Sequence, residues 1–194
     1  MVNALIVGVA GTHSTGKSTF CEELKHTLEA KGVKVATIPS FGRLAVEQGI
    51  PLLTQHTYDS TMWFIDRTLE AQGLACSSAE VVLVDRPILD ALAYWNAATD
   101  YRQAPASTGE TERVYALVSG RLQEYCAIVA TKLDTSIPLG PKRDNNLLFR
   151  ELVDSHLHRL LESQAISHQL LTPAAKGSLM SSLSNQLLSQ LGYK

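Results

Sequence analysis

The stretch Ala4-Leu-Ile-Val-Gly-Val-Ala10-Gly11-Thr-His-Ser-Thr-Gly16-Lys17-Ser18-Thr19-Phe20 decides how this chain is read. Ala4–Ala10 is a short apolar run, the pattern of a strand buried on both faces. Gly11–Gly16 is a glycine-bounded loop. Lys17–Ala30 reads as a helix, with Phe20, Leu24, Thr27 and Leu28 at helical spacing and Gly32 closing it. The loop and the helix start together match G-x-x-x-x-G-K-[ST], in the strand–loop–helix context which that motif requires. Glycines at both ends let the backbone curl, so that N–H groups along Gly11, Thr12, His13, Ser14, Thr15, Gly16, Lys17, Ser18 and Thr19 converge on phosphate oxygens. The helix that begins at Lys17 turns its positive dipole end toward the same anion. Lys17 is placed to reach the β- and γ-phosphates, and Ser18 to offer its hydroxyl to Mg²⁺. The expected ligand is a nucleoside triphosphate, with ATP as co-substrate and Mg²⁺ as cofactor.

Outward from this loop, strands and helices alternate. Lys34–Ile38 is a β-branched strand stopped by Pro39, and Phe41–Gln48 a short helix ending at Gly49. Gln55–Ala75 is a longer helix. Val81–Arg86 is a second strongly apolar strand, and Pro87 opens a helix over Ile88–Ala97. Thr99–Gly109 reads as a loop, Glu110–Glu124 as a helix and Tyr125–Ala130 as a strand. Asp134–Asn146 is polar and irregular, with Pro and Gly, and together with the start of the next helix forms a lid-like segment over 134–150. Leu147–Glu162 is a helix, His168–Thr172 a weak fifth strand and Gly177–Leu191 a Ser-rich amphipathic helix. This alternation predicts an α/β three-layer sandwich, a mostly parallel five-stranded sheet with helices on both faces, in one domain over 1–194.

Composition agrees. The 194 residues are 45% hydrophobic and 19% charged, a balance that excludes a disordered chain. A net charge of −2 argues against a nucleic-acid footprint, and no apolar run reaches the roughly 18–20 residues of a membrane helix. Cys21, Cys76 and Cys126 are odd in number and far apart, which speaks against a disulfide framework or a zinc site. A cytoplasmic protein is expected. A homodimer through the exposed faces of the C-terminal helix is left open.

A second motif narrows the chemistry. Asp85-Arg86 stands at the carboxyl end of a core strand, where ligands bind in open α/β sheets. Asp85 there either holds Mg²⁺ or deprotonates an acceptor hydroxyl, and Arg86 neutralises phosphate charge. Asp90, in the first turns of the next helix, is near enough to join the same crevice.

With both motifs, VGVAGTHSTGKSTF and VVLVDRPILDALAYW, the chain resembles the phosphate-loop kinases of small molecules. It looks most like the AAA-type domain family that includes the nicotinamide riboside kinase domain, and more distantly like deoxynucleoside and thymidylate kinases. The stretch Ile137-Pro-Leu, Arg143-Asp144 and Phe149-Arg150-Glu151-Leu is similar to that family's lid. The resemblance implies transfer of the γ-phosphate of Mg-ATP to a small hydroxyl- or phosphate-bearing acceptor, a nucleoside or nucleotide-type metabolite, with Arg143 clamping the phosphate. The chain departs from the family where an acid usually follows the second strand. Pro39-Ser40-Phe41-Gly42-Arg43 has Ser40 in that place, and keeps Arg43 for the acceptor.

Two other function classes compete. Ser40 in place of the acid motivates a nucleotide-dependent ATPase or regulatory binding protein. Thr131-Lys132-Leu133-Asp134 fits the guanine-reading [NT]-K-x-D of GTPases, but the Asp85 segment reads Asp85-Arg86-Pro87-Ile88 and so lacks the D-x-x-G that contacts the γ-phosphate. In the kinase reading, the helix bearing His56, Tyr58, Trp63, Phe64, Asp66 and Arg67 walls the acceptor pocket, Trp63 stacking on a base and Arg67 pairing with an anion. Lys142, Arg143 and Arg150 are the basic residues around the lid. His156 and His158, two apart on a helix, do not form a metal pair. Of the cysteines only Cys21, near a helix start, has any nucleophile-like setting.

Overall fold

In the computed structural model, which describes residues 4–136 and 145–193, β1 (Leu5–Ala10) is the middle strand of a five-stranded sheet. The order is β2 (Val35–Ile38), β3 (Val81–Asp85), β1, β4 (Tyr125–Thr131), β5 (Gln169–Leu171), and every pair is parallel. Side chains of β1 and β3 alternate between two apolar layers, which is why both strands read as unbroken hydrophobic runs. Val7, Val9, Val81 and Leu83 pack beneath α1 (Lys17–Glu29) and α7 (Lys176–Leu191), with Phe20, Leu24, Leu183 and Leu187. Ile6, Ala10, Val82 and Val84 pack on the other face, against α3 (Tyr58–Cys76), α4 (Ile88–Arg102), α5 (Thr108–Leu122) and α6 (Leu147–Ser163). The short α2 (Gly42–Glu47) follows β2. The three-layer α/β sandwich expected from the alternation is thus present, with helices on both faces.

Register positions the chemistry. β1 pairs Val9 with Asp85, and Ala10 with Ala130. The carboxylate of β3 and Thr131 of β4 therefore emerge beside Gly11, where β1 gives way to its loop. The largest differences from the helix bounds read in the sequence lie at the start of α3 and between α4 and α5. α3 begins at Tyr58 rather than Gln55, because Thr57 and Ser60 form a reciprocal capping box and Leu53–Gln55 is a separate 3₁₀ turn. The loop expected over Thr99–Gly109 shrinks to 103–107. α4 continues to Arg102 and stops at Gln103 in the left-handed region (φ 52°), while Ser107 and Glu110 cap α5 so that Gly109 lies within it. Among the described residues no helix is long and apolar enough to cross a membrane.

Candidate active site

The loop between β1 and α1 is closed by its own side chains and by β4. Thr15 Oγ1 donates to the Thr12 carbonyl (2.9 Å) and shares a 2.6 Å hydrogen bond with Thr131 Oγ1. Gly11 has φ 151°, and a Cβ there would stand 1.8 Å from Thr131 Oγ1, so only glycine fits this approach. Gly16 (φ 84°) takes a further left-handed step just before α1, after Ser14 (φ 61°). Lys17 is buried, with Nζ donating to the Thr12 carbonyl at 2.5 Å. Burial first, then the Arg86 charge, lowers its pKa from the usual lysine value. A phosphate beside this ammonium would favour its charged form.

Ser18 Oγ donates to Asp85 Oδ2 at 2.5 Å, which ties the start of α1 to the end of β3. Asp85 Oδ1 is buried and has no hydrogen-bond partner among the described residues. The next residue, Arg86, has φ 76°; this left-handed step, strained for a side chain as large as arginine, turns the chain from strand into helix. Its Nη1 donates to Tyr94 Oη (3.0 Å) and lies 3.5 Å from Asp90 Oδ2. Both Asp90 oxygens accept from the Gly11 N–H, at 3.2 and 3.3 Å. Burial raises the Asp90 pKa, and the Arg86 and Lys17 charges oppose that shift. Tyr94 Oη also accepts from the His13 N–H (2.9 Å) and lies 3.1 Å from His13 Nδ1. From α6, buried Arg150 extends Nη2 to the His13 carbonyl (3.4 Å), while its Nε has no partner among the described residues. Arg86 from the β3–α4 junction and Arg150 from α6 thus flank one phosphate-sized loop.

Against this loop opens a cavity of about 790 Å³, lined by His13, Arg86, Asp90 and Tyr94 on the loop side. Its far wall is Pro39, Ser40, Phe41 and Arg43 after β2, with His56, Phe64 and Thr68 along the start of α3. The cavity combines aromatic faces with a few charged groups, the composition of a small-molecule site.

The structure brings Lys17, Ser18, Asp85, Arg86, Asp90 and Arg43 to this one region. Two residues expected at the acceptor lie elsewhere. Trp63 is packed edge-on against Phe41 and Phe64 and stands behind the wall, so Phe64 supplies the aromatic face in its place. Arg67 is exposed and pairs with Glu70 at 2.9 Å, because its helical position turns it away from the cavity. Arg143 and Lys142 lie outside the described residues. Asp134, the guanine-reading residue of the GTPase alternative, is exposed, with Oδ1 accepting from both N–H and Oγ of Ser136. Cys21 is buried in the core, and burial, then Asp85, pushes its thiol up to about 12, away from the thiolate form that a nucleophile needs. Sequence reasoning missed Tyr94, which stands four residues beyond Asp90 on one face of α4 and meets Arg86 from just before that helix, and missed the structural part of Thr131.

Comparisons with known proteins agree with this geometry. A family model described as an AAA domain matches residues 6–168. A probable thymidylate kinase of Methanopyrus kandleri is 35% identical over 97 residues, 48% of this chain and 47% of that protein. The chain thus spans about half the length of the curated relative it matches. Among solved structures, the NadR protein in complex with NAD and AMP-PNP superposes with a TM-score of 0.66 at 16% identity, over 98% of this chain and 50% of that one. Thymidylate kinase from Candida albicans gives 0.66 at 14%, over 99% and 94%. Deoxyadenosine kinase from M. mycoides with bound dATP gives 0.64 at 14%, over 94% and 98%. At such identities the likeness shows a shared fold, that of phosphate-loop kinases.

Proposed function

The chain belongs to the AAA domain family, and from that premise we propose that it is an ATP-dependent phosphotransferase acting on a small nucleoside- or nucleotide-type acceptor. One observation carries the proposal: the phosphate loop with its Lys17–Ser18 pair opens onto an aromatic-walled cavity that shares Arg86, Asp90 and His13 with it. The cavity of about 790 Å³ beside the loop, walled by residues that follow β2 and lie on α3 and α4, offers room for a second ligand that nucleotide hydrolysis or sensing alone does not require.

The donor set fits Mg²⁺. Ser18 Oγ and the Asp85 carboxylate are hard oxygen ligands, and Asp85 Oδ1 is a buried atom with no partner among the described residues. When bound, Mg²⁺ would neutralise charge on the phosphates. Lys17 and the loop amides hold the triphosphate, and Arg86 and Arg150 flank the loop where charge on the transferring group is to be balanced. Arg143 is proposed for the same charge. Arg43 lines the opposite wall and is proposed to hold the acceptor. Phosphoryl transfer through a loose transition state asks mainly for position and charge balance, so the loss of an acid at Ser40 does not disable it.

The test is ADP release from Mg-ATP with and without pools of nucleosides, nucleotides and sugar alcohols. Stimulation by one pool, abolished in Lys17→Ala, is the expected result. A slow rate that no pool stimulates would overturn the proposal in favour of a nucleotide-dependent switch.

A further inference from the structure

His56 is 3% exposed, yet it lines the acceptor cavity, and neither Nδ1 nor Nε2 has a hydrogen-bond partner among the described residues. Two buried polar atoms left unpaired are costly, and a wall built only for packing would carry a leucine or phenylalanine here. The segment that carries the ring is instead held in place with some effort. Leu53 adopts φ 53°, an unfavourable left-handed conformation for a leucine. Arg102, reaching across from α4, donates to the carbonyls of Thr54 and His56, the latter at 2.9 Å. Thr57 then begins α3 with its capping box. These contacts fix the backbone on both sides of His56 and leave only its ring unpartnered.

The ring's neighbours describe what would pair with it. Phe64 stacks on His56 with centroids 5.5 Å apart and planes 24° apart, and Tyr94 lies at 6.4 Å. Phe41, Leu52 and Ala91 complete an apolar surround suited to the face of a flat ring. Burial, then the Arg102 charge, pushes the His56 pKa down to about 3, so at neutral pH the imidazole is uncharged. A neutral imidazole offers one N–H donor and one acceptor nitrogen. It is a poor partner for a phosphate, and because its two nitrogens diverge, one of them pairs with a donor or an acceptor on the edge of a ligand ring.

On the reading that this cavity holds the acceptor, we infer that His56 determines its specificity, pairing with the hydrogen-bonding edge of a planar heterocycle whose face lies among Phe41, Phe64 and Tyr94. A ligand that satisfies His56 recovers a hydrogen bond that the free protein lacks. A ligand of the same shape without polar edge atoms does not.

The test compares each of the four common nucleosides with phenyl C-riboside, which has the same sugar and an apolar ring. Binding is measured calorimetrically without ATP. At least one nucleoside is expected to bind tenfold or more tightly than the phenyl compound. In His56→Phe that nucleoside should weaken about tenfold, equivalent to ~1.4 kcal/mol, with phenyl C-riboside changed less than twofold. His56→Gln, neutral and again both donor and acceptor, should restore part of the preference, and stands in for His56→Phe if that variant does not fold by circular dichroism. No preference in the unaltered protein, or one that survives in His56→Phe and is not modulated in His56→Gln, overturns the inference. Nucleoside discrimination through His56 with no phosphate transfer on adding Mg-ATP would sink the kinase proposal alone. Transfer to an acceptor whose binding ignores His56 would sink this inference alone.

Discussion

The phosphate loop and the cavity wall facing it are built on opposite plans. In the loop, residues 11–18 close on themselves: Lys17 and Thr15 both donate to the Thr12 carbonyl, and Ser18 donates to Asp85. The wall draws on the end of β2, the start of α3 and the middle of α4, and is held by aromatic packing rather than by a hydrogen-bonded ring. Its one buried histidine has no partner among the described residues. A triphosphate presents the same oxygens in every nucleotide, so a loop of backbone donors suits it. An acceptor differs in shape and polar edge, and can be distinguished only by side chains brought in from separate elements. The contrast separates generic binding from selective binding.

Substitutions sharpen this contrast, beginning with the largest effect. Lys17→Ala should lower acceptor-stimulated ADP release on the order of 10²–10³-fold while the acceptor still binds, because the cation balances charge on the phosphates. Equal losses in turnover and in acceptor affinity would erase the distinction between the two regions. Asp85→Asn should raise the Mg²⁺ concentration needed for half-maximal rate at least tenfold, measured by titrating the metal at fixed ATP. Unaltered metal dependence would remove Asp85 from the metal's shell.

Gly11→Ala should cost about 1–3 kcal/mol in urea unfolding, since the new methyl meets Thr131 Oγ1. Thr131→Ala should then recover part of that loss in the double variant. Acid should act on the wall through His56. The folded His56 binds its proton only near pH 3, against an ordinary value of 6.5, so between these the unfolded chain holds more protons. The contribution from neutral His56 is fully present above pH 6.5 and is lost as pH falls toward 3, by about 2 kcal/mol at pH 5. His56→Phe should flatten that part of the stability–pH curve, and an unchanged slope would show that the ring is not held neutral. The smallest effect belongs to Arg67→Ala, which should leave acceptor affinity within twofold because Arg67 points outward onto Glu70.

The parts of the fold legible in the sequence were those set by local pattern. The apolar runs of β1 and β3 announce strands covered on both faces, and the glycine spacing from Gly11 to Gly16 with Lys17 and Ser18 announces the phosphate loop. Polar residues with Pro105 and Gly109 make Thr99–Gly109 read as a loop, whereas α4 runs on to Arg102 and the Ser107–Glu110 cap places Gly109 in a helix. Along α3, the sequence points to Trp63 as the stacking aromatic, but Phe64 is the one that faces the cavity; one helical step of about 100° decides that, and neighbouring packing sets its phase.

By itself, then, the sequence determined the α/β class and the nucleotide-binding phosphate loop, since both depend on residues close together along the chain. Only the tertiary structure decided that Asp85 meets Ser18 across 67 residues, that Thr131 meets Thr15 across 116, and that Asp90 grips the Gly11 N–H across 79. It also decided that His56 lies unpartnered on the cavity wall while Arg67 faces away from it. Parallel register and helix phase produce those meetings, and both are set by burial of two apolar layers at once, which no short stretch of residues can encode.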